Sequence, residues 1–102
     1  MTISNNIASI GAHQTMMNTN ANNVANVNTD GFVPSDTTIT SNTQNTPQAN
    51  VSLSDDNGSL KSQTDLSKEL PQQINIQAGV EANVASIKTQ DDILGSLLDI
   101  KA

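Results

Sequence analysis

The chain has 102 residues, 34% of them apolar, with no cysteine, one histidine (His13) and one aromatic residue, Phe32. Those numbers exclude a disulfide framework and a multi-histidine metal site, and they leave too little for a self-sufficient core, so partners are the expected source of stability. A net charge of −6, with no arginine and only four lysines, removes the basic footprint that nucleic-acid binding needs and disfavours an anionic membrane surface.

The first predicted element is a helix within residues 1–28. Its apolar residues Ile3, Ile7, Ile10, Met17, Ala21 and Val24 are spaced alternately four and three apart, with Gln14 in the one missed position. That is a heptad seam, with Thr2 or Ser4 as the expected N-cap. At ~1.5 Å per residue such a helix is roughly 35–40 Å long.

Residues 29–64 change character, becoming rich in Ser, Thr, Asn, Gln and Asp, with Pro34 and Pro47 as helix stops. Asn57-Gly58 is a preferred pair for a two-residue hairpin turn, which predicts a short hairpin over 51–62 with Val51, Leu53 and Leu60 on one face. Ser41 to Asn50 reads as linker or disorder. Two strands alone are marginal in water, so this arm is expected to order against neighbours.

Residues 65–102 return to a helical pattern. Leu66, Leu70, Val80, Val84, Ile87, Leu94 and Leu98 keep heptad spacing, with Gln73, Gln77 and Asp91 as polar members, while Ile74, Ile93 and Leu97 widen the stripe. Pro71 conflicts with this pattern because it lacks an amide donor, so the helix either starts near Ser67 or Leu70 or is kinked. Gly79 and Gly95 each cost up to about 1 kcal/mol relative to alanine, and a glycine in a stripe permits close approach of another helix. The predicted fold is mostly α. Two long terminal helices form an antiparallel, coiled-coil-like pair with a short β or extended arm between them, completed by helical oligomerisation. No stretch approaches the ~20 apolar residues that span a bilayer, and the N-terminus lacks a cleavable secretory signal.

The segment Ala21-Asn-Asn-Val-Ala-Asn-Val-Asn-Thr-Asp-Gly-Phe32 resembles the motif near the N-terminus of flagellar rod, hook and hook-associated proteins. There an Asn-rich helix end runs into Asn-Thr-x-Gly-aromatic. Asp65-Leu-Ser-Lys-Glu-Leu70, Glu81-Ala-Asn83 and Ile87-Lys-Thr-Gln-Asp-Asp-Ile-Leu94 resemble the terminal helix of the same family, with hook and distal-rod proteins the nearest likeness. The chain departs from the family in its short middle, in Pro71 and Gly79, and in Gln77-Ala-Gly-Val80 where a Gln-Arg-aromatic run is typical.

The resemblance implies a structural subunit of the flagellar basal body, in the rod or at the rod–hook junction, that is required for motility. It would be exported unfolded by the flagellar type III apparatus without a cleaved signal. It would polymerise with copies of itself and with neighbouring rod or hook proteins. A low-copy cap, adaptor or export accessory with rod-type ends is the other reading.

Individual motifs add little chemistry. Asn22, Asn23, Asn26 and Asn28 suit helix capping and turn formation, or bonds across subunits, and Phe32 suits a plug on a local apolar patch. His13 has no nucleophile beside it. Asp55-Asp56-Asn57-Gly58 fails the EF-hand spacing and reads as a turn. No acid–base pair suggests an enzyme, and no cofactor is expected. The subunit-interface candidates are therefore the two seams together with the four asparagines and Phe32.

Overall fold

The computed structural model describes residues 3–101, so the Thr2 cap lies outside the described residues. The elements are α1 (Ile3–Ala25), β1 (Ser35–Ser41), β2 (Pro47–Leu53) and α2 (Leu66–Lys101). The chain is mostly helical and elongated, with extents of 67 × 27 × 14 Å.

α1 ends in a run of tight turns through residues 26–32. Asn26, Val27 and Thr29 amides bond back three or four residues, and Gly31 supplies a φ of 77° that an L side chain rarely adopts. The helix end is finished from far along the chain. The Thr64 hydroxyl donates to the Asn23 carbonyl (2.9 Å) and the Ser62 hydroxyl to the Asn26 carbonyl (2.8 Å). These satisfy carbonyls that a helix terminus leaves open. The Gly31 amide to the Leu60 carbonyl and the Gln63 amide to the Phe32 carbonyl fasten the same two segments together.

The hairpin differs from the sequence expectation. It lies over 35–53, not 51–62, and pairs Ser35 with Leu53 through to Ser41 with Pro47 in an antiparallel register. Ser41–Asn50, expected as linker, holds the turn and parts of both strands. The Asn42 carboxamide oxygen accepts from the Gln44 and Thr46 amides, while Asn45 takes the left-handed conformation at φ 59°. Asparagine does this more readily than other non-glycine residues. Pro47 stands first in β2, where a missing amide is tolerated. The β-branched run Thr37-Thr38-Ile39-Thr40 suits a strand, and both strands pack on α1.

Asn57-Gly58 still forms a tight turn, but within an extended loop. Gly58 has φ 80°, and the Asp56 and Asn57 side chains accept from the Gly58 and Ser59 amides. Val51, Leu53 and Leu60 are exposed and share no packed face.

α2 is capped by Asp65, whose carboxylate accepts from the Ser67 amide (3.0 Å) and hydroxyl. Those two bonds hold the Asp65 carboxyl below the usual carboxylate range. Pro71 sits in the second turn of a continuous helix that begins at Leu66, next to the expected start near Ser67. The amide it lacks would have met the carbonyl of Ser67, itself an exposed residue.

Candidate interaction surface

The two helices run side by side in opposite directions: Asn20 meets Glu69, His13 meets Gly79, and Ser9 meets Asn83. The face of α1 that is buried here is polar. Its buried residues are Asn6, Ser9, Ala12, Asn20 and Asn23. Apart from Pro34, only Ala12 and Ile76 are buried apolar residues among those described. The contact is held by two polar clusters.

The first cluster centres on Glu69, which is 2% exposed. Asn20 Nδ2 donates to its Oε2 (2.6 Å) and to its backbone carbonyl (2.9 Å), and Asn23 Nδ2 donates to its Oε1 (3.0 Å). Asn23 also exchanges a pair of bonds with Ser35, donating to its carbonyl (2.7 Å) and accepting from its amide (3.0 Å). One asparagine thus ties α1 to α2 and to the start of β1. Burying a carboxylate is costly unless hydrogen bonds replace its water, and here amide donors reach both oxygens.

The second cluster lies two to three turns away. The His13 Nδ1–H donates to the Ser9 carbonyl (2.7 Å), and the imidazole lies against Gly79 so closely that a Cβ there would clash with its Nε2 and Cδ2. Asn83 Nδ2 donates both to Ser9 Oγ (3.0 Å) and to the Gly79 carbonyl (2.8 Å). Gly79, a weakness of the helix taken alone, is what lets the histidine in. At the hairpin end, Lys68 Nζ lies 2.7 Å from Asp36, whose other oxygen accepts from Ser54. Lys68 and Ser54 hold the Asp36 carboxyl low, and Asp36 raises the Lys68 ammonium.

The predicted apolar seams are therefore not the intrachain contact. Each is displaced from it by one residue: Ile7, Ile10, Gln14, Met17 and Val24 follow Asn6, Ser9, His13, Met16 and Asn23. On α2, Leu70, Gln77, Val80 and Val84 follow Glu69, Ile76, Gly79 and Asn83 in the same way. One residue is about 100° of helical rotation. Because the helices are antiparallel, the same offset on each turns both seams to one side of the pair.

There they flank a groove of about 340 Å³ lined by Ile10, His13, Gln14 and Met17 of α1 and Ile76, Gln77 and Val80 of α2. Ile7 is 60% exposed, and Ile3, Leu66, Leu70 and Val84 are also exposed, whereas Ile10, Met17, Val24, Val80 and Ile87 are half-buried. Beyond Gln90 every residue through Ile100 is exposed, including Leu94 (53%) and Leu98 (60%). No described residue packs on that last stretch of α2.

The asparagine motif divides. Asn23 is an internal tether, Asn26 donates to the Asn22 carbonyl (2.8 Å) and accepts from Thr29, and Asn28 is exposed. Phe32 is half-buried beside the 60–63 segment. Sequence reasoning missed Asn20 and Glu69. The available signal was a second heptad of polar residues (6, 9, 13, 20 and 23) directly beside the apolar one. No helix is long and apolar enough to cross a membrane, and no group of three or more metal-ligating side chains occurs among the described residues. No protein-family profile matches the chain, and no curated protein aligns with it significantly.

Proposed function

We propose that this chain is a structural subunit of the bacterial flagellar axial structure, of the rod or of the rod–hook junction. It polymerises with its own copies and with neighbouring axial proteins through its two terminal helices. The observation that carries the polymerisation is the one-residue offset. The pair spends its polar faces on itself and leaves two apolar seams together on one side. Apolar area of that kind is stabilised only when other molecules cover it. The assignment to the flagellum rests on the resemblance of residues 21–32 and 65–94 to rod and hook proteins.

In this reading the helices form a coiled-coil-like wall with those of adjacent copies. The chain reaches its site through the flagellar type III export apparatus, and a thin arm replaces the outer domains of larger hook proteins. The small hairpin on α1 suits a narrow segment of the tube.

The test is incorporation and motility. Ile10→Asp places a charge in the seam, at a cost of several kcal/mol where the site becomes packed. It should abolish swimming and remove the chain from isolated flagellar bases, whereas Thr43→Ala, in the exposed hairpin turn, should leave both unchanged. Normal swimming of the Ile10→Asp strain would refute the proposal.

A further inference from the structure

Of the fourteen asparagines only Asn57 is followed by glycine, and ten of the other thirteen are followed by Val, Ile or Thr. That difference has a chemical consequence. The backbone nitrogen after an asparagine can attack its side-chain carbonyl, because the ring that closes has five members. The obstruction is the side chain on the attacking residue. A branched Cβ crowds the nitrogen, and glycine has no Cβ.

The loop leaves the reacting groups open. Asn57 and Gly58 are both exposed, and nothing lies within 4 Å of the place where a Gly58 Cβ would stand. The Asn57 carboxamide oxygen accepts from the Ser59 amide (2.9 Å), which polarises the carbonyl and meets the negative charge that develops on it. The carboxamide nitrogen, which must leave, forms no hydrogen bond among the described residues. The Gly58 amide, which must lose its proton, donates to the Asp56 carboxylate (2.8 Å). Most other asparagines lie in α1 or α2, where the next amide is held in the helix ladder.

We propose that Asn57 is a site of spontaneous conversion to aspartate and isoaspartate, and that the isoaspartate loosens the end of α1. The Gly58 nitrogen bonds to Asn57 Cγ. Its proton passes by way of the Asp56 carboxylate to the departing amide, which leaves as ammonia, and a succinimide remains. Water then opens the ring. Cleavage between the nitrogen and Cγ gives aspartate with the chain unaltered. Cleavage between the nitrogen and the main-chain carbonyl carbon gives isoaspartate, in which the chain runs through Cβ and Cγ and gains one backbone atom. Either product adds a negative charge beside Asp55 and Asp56.

The added atom falls in a loop fastened on both sides. The Asn57 amide donates to the Gln63 side chain (3.2 Å), and Gln63 Nε2 donates to Asp56 (2.8 Å). A few residues on, the Leu60 carbonyl accepts from Gly31 and the Ser62 hydroxyl donates to the Asn26 carbonyl. A longer backbone at 57 moves these partners out of register, and with them the segment that finishes α1. This chemistry is independent of the flagellar reading.

The test ages the full chain for days at neutral to mildly alkaline pH and follows it by peptide mass spectrometry. The mass gain of exchanging NH2 for OH should accumulate at Asn57 several-fold faster than at any other asparagine. An isoaspartate-specific methyltransferase should label the same peptide. Asn57→Gln, whose cyclisation needs a larger ring, should stay unlabelled. The aged native chain should unfold at lower urea than fresh protein, whereas freshly made Asn57→Asp, with the charge but the ordinary backbone, should unfold like it. Conversion at Asn57 no faster than at the other asparagines would overturn the site. An unchanged urea midpoint in chains carrying isoaspartate at 57, or an equal drop in Asn57→Asp, would overturn the effect on α1.

Discussion

Gly79→Ala should change sign with the residue at position 13. Taken alone, the substitution favours a helix by up to about 1 kcal/mol. In this structure the new methyl would clash with Nε2 and Cδ2 of the His13 ring. The backbone on both sides belongs to long helices, so either the imidazole swings out and loses its 2.7 Å bond to the Ser9 carbonyl or the helices part. Overpacking of this kind costs about 1–3 kcal/mol, and parting the helices would also stretch the Asn83 bond to Ser9.

With His13 present, the net effect should be a loss of about 0–2 kcal/mol. With His13→Ala the obstruction is gone, and the same Gly79→Ala change should gain up to about 1 kcal/mol. The assay is helicity at 222 nm, followed through urea titration, for all four proteins of the double-mutant cycle. The coupling should be about 1–3 kcal/mol. If Gly79→Ala raises helicity equally in both backgrounds, the His13–Gly79 contact does not set the helix spacing and the reasoning fails.

Other perturbations follow from the polar interior. Asn6 is fully buried with neither amide atom bonded. Asn6→Leu keeps the branched shape and removes an unpaired amide that costs about 1–3 kcal/mol, less the strain of its larger volume, so it should stabilise the chain, and a lower urea midpoint would contradict that. Glu69→Ala should cost about 2–4 kcal/mol, because bonds from Asn20 and Asn23 to a charged group are lost together. Glu69→Gln should cost less, because Asn20 Oδ1 is unpartnered and could turn to accept the new amide. Equal midpoints for the two Glu69 variants would count against the cluster. The Asp36–Lys68 pair gives an acid dependence. Asp36 is held below the ordinary carboxylate range, so its contribution is complete above that range and is lost as pH falls through its lowered pKa, that is, below about pH 4. Both side chains are substantially exposed, so the effect should be small and weakened by salt. Amide shifts of residues 35–37 should follow it and flatten in Asp36→Asn; an unchanged titration in that variant would assign the effect elsewhere.

The sequence alone determined the two helices and their near-final bounds, because a four-three apolar spacing sustained over several turns has no other regular solution. It also showed that each helix carries an apolar stripe, and it offered Gly79 and Gly95 alike as places for a close neighbour, of which only Gly79 has one among the described residues. The hairpin was legible as an element but misplaced. Asn57-Gly58 carries the stronger local turn signal, yet its flanks lack a partner surface, whereas the Thr-rich strand at 35–41 gains one on α1. Which face of each helix meets the other was decided only in three dimensions. Periodicity rewards apolar residues, but Asn20, Asn23 and Glu69 bind one another across 46 to 49 residues of chain, and no local pattern encodes that reciprocity. Once those amides and that carboxylate satisfy each other, the polar faces close on themselves. Both apolar stripes then turn outward together, because antiparallel helices offset by the same single residue expose the same side.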